Sequence, residues 1–223
     1  MSEVIVLHAA LTGQGDPGLE QALLERLPYA YRLELERRDP AARSASLHGL
    51  RLLADGVLRA RGAALDPSRL RFPEGGKPSL AGGPHFSISH SARRVAVALS
   101  ERHEPGLDIE DVGTHGRSRA ELERWTAVEA SLKALGAGLR RSAEVRLSPD
   151  LSTAEMAGAL DKTPGAIGFM SLGGATSGGR AIDVVALDGD ALVIELEREE
   201  RRDAVRDPVG GDRVVVALAG MQR

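Results

Sequence analysis

The sequence predicts an α+β protein organised as two lobes, and three observations carry that prediction. Helical periodicity and largely antiparallel strand signals are mixed in both halves of the chain rather than segregated. The order helix, Gly-rich turn, paired strands, helix places the junction between halves near residues 100–106. A chain of 223 residues with 42% apolar and 27% charged side chains has ample length for a core. The expected division is therefore 1–105 for the N-terminal lobe and 106–223 for the C-terminal lobe, in one compact unit.

Val4 to Leu7 is a compact β-branched run and predicts a first strand. Asp16-Pro17-Gly18 then opens a helix to about Leu27, with Asp16 as cap and Pro17 in the first turn. Pro28 interrupts it, and Tyr29 to Arg38 resumes a polar helical stretch. Asp39-Pro40 repeats the cap-then-proline signal. Beyond it Leu47, Leu50, Leu53, Ala54, Val57 and Leu58 recur at helical spacing up to Gly62. Leu70 to Phe72 predicts a brief strand, followed by the turn-rich Pro73-Glu74-Gly75-Gly76-Lys77-Pro78. Period-two alternation through Phe86-Ser87-Ile88-Ser89-His90-Ser91 puts Phe86, Ile88 and His90 on one face and the serines on the other. With Arg93-Arg94, these serines and the histidine predict a polar turn before a strand at Val95 to Leu99, able to donate hydrogen bonds to phosphate oxygens.

The next strand, Gly106-Leu107-Asp108-Ile109-Glu110, is acidic on one face and apolar on the other. Two close carboxylates repel unless a cation or a proton lies between them, so the strand is a seat for a hard, oxygen-loving metal such as Mg²⁺. Taken alone, these five residues also fit a solvated sheet edge ending in charges. Ser118 caps a helix from Ala120 to about Leu135, with Glu121 in the capping-box position and Gly136 as the stop. Glu129 and Lys133, four apart, are neighbours on its surface. Val145 to Leu147 predicts a strand and Thr153 to Leu160 a short helix. The stretch 158–179 holds seven glycines without periodicity and reads as loop-rich. Ile182 to Leu187 and Ala191 to Leu196 predict a hairpin around Asp188-Gly189-Asp190. Glu197 to Asp203 is a solvated charge run, and Val214 to Leu218 a final strand after Gly210-Gly211.

Four short motifs arrive in a set order: Gly76-Lys77-Pro78, Phe86 to Ser91, Gly106 to Glu110, and Trp125-Thr126-Ala127-Val128-Glu129-Ala130-Ser131-Leu132-Lys133-Ala134-Leu135-Gly136. The series resembles the 4'-phosphopantetheinyl transferases, in particular the two-lobed, single-chain group that acts on carrier proteins. The close match covers about residues 43 to 139. The resemblance implies two pseudo-twofold-related α/β lobes with coenzyme A in the cleft between them. It implies transfer of the phosphopantetheine arm of coenzyme A to a serine of an apo acyl, peptidyl or aryl carrier protein, as in a holo-[acyl-carrier-protein] synthase. Adenosine 3',5'-bisphosphate is the second product, and Mg²⁺ the metal.

On this chain the resemblance makes Asp108, Glu110 and Glu129 the metal ligands, and Glu129 the general base. Lys133 meets the pyrophosphate, and Ser89 and His90 the phosphates; Lys133 and His90 join Glu129 as the expected catalytic residues. Lys77 lies near the nucleotide, Arg43 near the 3'-phosphate, and Arg51 is a second basic position on the same helix. There are two departures. The family usually has Lys where this chain has Val128, and the eighteen residues between Glu110 and Glu129 are fewer than in typical relatives. Two alternatives follow from the same residues: a catalytically impaired relative that binds coenzyme A or carrier protein, and a metal-dependent nucleotide pyrophosphate hydrolase.

Composition narrows the rest. No cysteine is present, which excludes thiolate metal sites and a cysteine nucleophile. A net charge of −3 disfavours nucleic acid and anionic membrane as partners. Met1 to Ala10 has a short apolar run and no basic start, and no apolar stretch approaches a membrane span. A cytoplasmic monomer is the expectation.

Overall fold

The computed structural model describes residues 4–11, 17–74, 76–111, 116–149, 151 and 154–156 in full, and the backbone of 2–3, 153, 165–172, 181–188, 191–195 and 214–221. It is a mixed helix-and-sheet protein. The chain begins with β1 (Ser2–Ala10), then α1 (Pro17–Arg26), α2 (Tyr29–Arg37) and α3 (Pro40–Arg61). Asp39 caps α3 as its sequence requires: Oδ1 accepts from the Ala42 amide at 2.9 Å, with Pro40 in the first turn. Leu47, Leu50 and Leu53 are buried on one side of α3, against β1 and the strands that follow. Asp16, expected to cap α1, lies outside the described residues.

Two short strands, β2 (Leu70–Arg71) and β3 (Ser79–Leu80), pair with each other. They lead into β4 (His85–His90), β5 (Arg94–Ser100) and β6 (Glu104–Asp111). Ser87, Ser89 and His90 thus belong to a strand, and the turn before β5 is confined to 91–93. The reason is pairing: each residue from His85 to His90 has a partner on β5. After β6 comes α4 (Arg119–Leu135), opened by a full capping box between Ser118 and Glu121. Gly62 and Gly136, both with φ near +65°, stop α3 and α4 in the left-handed conformation that glycine adopts without strain.

Beyond α4 the described residues are mostly strand: β7 (Val145–Leu147), β8 (Thr153–Met156), β9 (Gly165–Leu172), β10 (Ala181–Asp188), β11 (Ala191–Glu195) and β12 (Val214–Met221). Two sequence expectations are corrected here. Thr153 to Met156 is a strand, not the start of a helix, because it is held between β7 and β9; tertiary pairing overrides a local Ser/Thr cap signal. Part of the glycine-rich 158–179 stretch is the strand β9, whose register is supplied by β12. Glycines erase the alternation that would have marked it. The turn residues Gly189-Asp190, the run Glu197–Asp203 and Gly210-Gly211 lie outside the described residues.

The strands form two antiparallel five-stranded sheets, in the orders β11-β10-β1-β5-β4 and β6-β12-β9-β8-β7. Helix α3 packs on the first sheet and α4 on the second. The join matters for function. Both β4 and β6 are terminal strands of their sheets, and they lie directly against each other. Among the described residues, no helix is long and apolar enough to cross a membrane.

Helix α4 approaches β6 unusually closely. Its inner side is a seam of Ala127, Ala130 and Ala134, and beneath it β6 offers Gly106. A Cβ at Gly106 would lie 1.9 Å from the Ala130 carbonyl oxygen and 2.3 Å from the Ala134 nitrogen. Small residues on both elements are therefore what allows the helix backbone to rest on the strand.

Candidate metal and phosphate site

The site is assembled from three elements at the join of the sheets. Strand β6 supplies Asp108 and Glu110, two residues apart and so on one face. Helix α4 supplies Glu129 and Lys133, one turn apart. Strand β4 supplies Ser89 and, at its end, His90. The burial of Asp108, about 3% exposed, removes the solvated-edge reading of the acidic strand.

Oxygen atoms of Asp108, Glu110 and Glu129 all lie within 4.8 Å of one another, so this trio can hold a metal ion. Asp108 is tied down on one side only. Its Oδ1 accepts from Lys133 Nζ at 2.7 Å and from Ser89 Oγ at 2.9 Å. Its Oδ2 is buried and has no hydrogen-bond partner among the described residues. A buried carboxylate oxygen left unpaired is costly, and a cation is the simplest partner for it. The donor set contains only oxygen, which suits a hard ion such as Mg²⁺ rather than a soft one.

Ser89 is saturated. Its hydroxyl donates to Asp108, and accepts from Lys133 Nζ at 3.0 Å and from the Ile109 amide at 3.3 Å. Lys133 supplies one positive charge against three carboxylates, which leaves the cluster negative when all are ionised. The strain appears on Glu129. Burial first, then the charge of Asp108, push its carboxyl up to about 7, against the pull of Lys133; Glu110 adds to the rise and a hydrogen bond from Trp125 opposes it. His90 is pushed the other way, below the usual imidazole value, by burial and then by the positive charges of Lys133 and Arg38.

The other expected site residues are not all in this cluster. Lys77 Nζ donates to the Pro105 carbonyl at 2.7 Å and pairs with Glu104 at 3.2 Å, at the opposite end of β6. Arg43 and Arg51 are partly buried on α3, and no hydrogen bond or ion pair described for the acid cluster involves them. Sequence reasoning passed over Arg38, the residue just after α2. Its guanidinium is aimed by Glu34 at 2.5 Å and Ser46 at 2.9 Å, and its charge reaches His90. Nothing local marks it; an arginine before a helix cap is ordinary. Ser87, expected with the other serines to donate to phosphate oxygens, instead accepts from the Leu107 amide at 3.0 Å.

The Glu129 shift gives a testable pH dependence. Its carboxyl is raised above the value of 4.5 that it has in the unfolded chain, so between these values the folded state binds a proton that the unfolded state does not. Stability is therefore present at low pH and lost as pH rises through about 7. The depressed His90 acts in the opposite sense, removing stability as pH falls below its ordinary value of 6.5. The Glu129 effect is thus read above pH 6.5. Metal-free protein is expected to melt lower at pH 8 than at pH 6.5, and Mg²⁺ to raise the melting temperature more at pH 8. Thermal melts at both pH values, with and without Mg²⁺, decide it; identical melts in all four would remove the cation site.

No protein-family model matches the chain, and no curated protein matches it.

Proposed function

We propose that this chain is an Mg²⁺-dependent 4'-phosphopantetheinyl transferase that converts apo carrier proteins to their holo form. One observation carries the reading: residues from three of the four family-like motifs, Ser89, Asp108, Glu110, Glu129 and Lys133, meet in one cluster with the chemistry that the reaction needs. In this reading the two sheets, the first of which also takes in β10 and β11 from the second half of the chain, are the cores of the two lobes, and coenzyme A lies across their join.

Asp108, Glu110 and Glu129 would hold Mg²⁺, which when bound neutralises charge on the pyrophosphate of coenzyme A and on the departing phosphate. Lys133 Nζ adds a positive donor beside the same oxygens, where charge grows as the bond breaks. From β4, Ser89 holds Asp108 and Lys133 in place, His90 faces the phosphates, and Arg38 strengthens the positive side of the cleft. A serine hydroxyl is a weak nucleophile at neutral pH, so it needs a base. The Glu129 carboxylate takes the proton from the carrier protein's serine Oγ. That oxygen bonds to the phosphorus carrying the pantetheine arm, and the phosphoanhydride bond breaks, releasing adenosine 3',5'-bisphosphate. Arg43 and Lys77 fall to the nucleotide end by the family resemblance.

The deciding experiment incubates the protein with coenzyme A, Mg²⁺ and a panel of apo carrier proteins, and reads intact mass. The expected result is a gain of one phosphopantetheine arm on at least one carrier protein, abolished by chelation. No gain at stoichiometric protein sinks the reading. Coenzyme A binding without transfer would mark an impaired relative, consistent with Val128 and the short segment before Glu129. Release of phosphopantetheine without any carrier protein would mark a hydrolase.

A further inference from the structure

The outer edge of β6 is closed by side chains in place of a strand. Because β6 is terminal in its sheet, every second residue sends its backbone polar groups away from β12 with no strand to receive them. These residues include Pro105, Leu107 and Ile109. The Leu107 amide donates to Ser87 Oγ at 3.0 Å, and the Ile109 amide to Ser89 Oγ at 3.3 Å. The Pro105 carbonyl accepts from Lys77 Nζ at 2.7 Å. Both serine contacts are buried, and both serines are on the terminal strand of the other sheet. The steps match: two residues on β4, two residues on β6.

Asp108 sits between the two pinned amides. We infer that Ser87 is a positioning residue for the metal site: its hydroxyl fixes the backbone at Leu107 and so, together with Ser89, sets where Asp108 presents its unpartnered Oδ2. Ser89 touches Asp108 directly, so its removal would also delete a bond to the carboxylate. Ser87 touches neither a carboxylate of the cluster nor Lys133 in any described bond, and its effect must travel through the strand. Loss of that one bond leaves the Leu107 amide unpaired in a buried place and frees the register between the sheets. Outer partners of metal ligands commonly change metal affinity by about 10–100-fold, and one more step removed should fall at the lower end. This inference rests on the reading of Asp108 as a metal ligand.

The test compares Ser87→Thr with Ser87→Val in the full chain. The two side chains share a shape and differ in the hydroxyl, so a packing change common to both cancels. Mg²⁺ alone is titrated by thermal shift and calorimetry, and hydrogen exchange at the Leu107 and Ile109 amides is followed without metal. The expected result is near-native behaviour for the threonine variant, with faster Leu107 exchange and about tenfold weaker Mg²⁺ binding for the valine variant. Unchanged exchange in the valine variant overturns the clamp. Faster exchange with unchanged Mg²⁺ affinity overturns the positioning role and leaves a purely structural bond. If the unsubstituted protein itself ignores Mg²⁺, the metal reading fails, and with it the positioning role, while exchange still decides whether the clamp exists. Should both variants unfold, Ser87→Ala, which adds no bulk, takes the place of valine.

Discussion

Glu129→Gln is expected to lower transfer about 10³-fold, within the range of losing a general base, while the metal-free protein becomes more stable at pH 8. The two effects have one cause. Glu129 lies half-buried among Asp108 and Glu110, and its carboxyl is pushed up to about 7 by burial and by their charges. At pH 8 the folded protein must carry that charge in a place that resists it. Glutamine keeps the shape and an oxygen to accept from Trp125, and removes the charge. Relief of like-charge repulsion should raise the metal-free melting temperature at pH 8. The gain should shrink at pH 6.5, where Glu129 is largely protonated already. Mg²⁺ should then stabilise the variant less than the unsubstituted protein, because one anionic ligand is gone. A residue that merely packed would give the reverse pattern, with lower stability and unaltered turnover. Wild-type transfer in this variant would remove Glu129 from the reaction.

The opposite signs matter because they separate a site from a scaffold. Most single changes at partly buried positions destabilise. A change that stabilises the empty protein and abolishes activity marks charge kept for function at a cost in stability. The same logic places Asp108 at the centre: its Oδ1 is engaged by Lys133 and Ser89, and its Oδ2 is buried with no partner among the described residues.

The sequence made this cluster legible because local periodicities set it. Period two on β6 put Asp108 and Glu110 on one face, and a four-residue step on α4 paired Glu129 with Lys133. The cap signals at Asp39 and Ser118 marked two helix starts to within one residue, since capping depends on bonds within the same few residues. What was not legible depends on distant partners. The strands β8 and β9 exist through pairing with segments far along the chain, and neither a Thr-led run nor a glycine-rich stretch reveals that locally. The sequence suggests the serines of β4 as donors to a ligand, whereas both accept from the backbone of β6. Arg38 was invisible for the same reason: its importance comes from the end of β4 brought near it by the fold.

Gly106→Ala should be the most damaging small substitution at this join. The added methyl would meet the Ala130 carbonyl oxygen at 1.9 Å and the Ala134 nitrogen at 2.3 Å, where ordinary contact begins near 3.4 Å. Both atoms are backbone, so no side-chain rotation can make room. Helix α4 would have to lift, and its inner side is the alanine seam that packs against β7 and β8. Overpacking of this kind costs about 1–3 kcal/mol and sometimes more; with backbone on both sides, about 3 kcal/mol or above is expected. In a chain of this length that is a fall of roughly 6–12 °C in melting temperature. The functional consequence is separable. A helix that lifts carries Glu129 and Lys133 away from Asp108, and a misplacement near 1 Å can cost about 10²-fold in rate. Whatever folds should therefore show a weakened Mg²⁺ shift and slow transfer. The double substitution Gly106→Ala with Ala130→Gly should rescue neither, because the colliding oxygen belongs to the main chain and survives the change. Rescue by that double variant, or a melting temperature within a degree of the unsubstituted protein, would show that α4 is not seated on β6 through this contact.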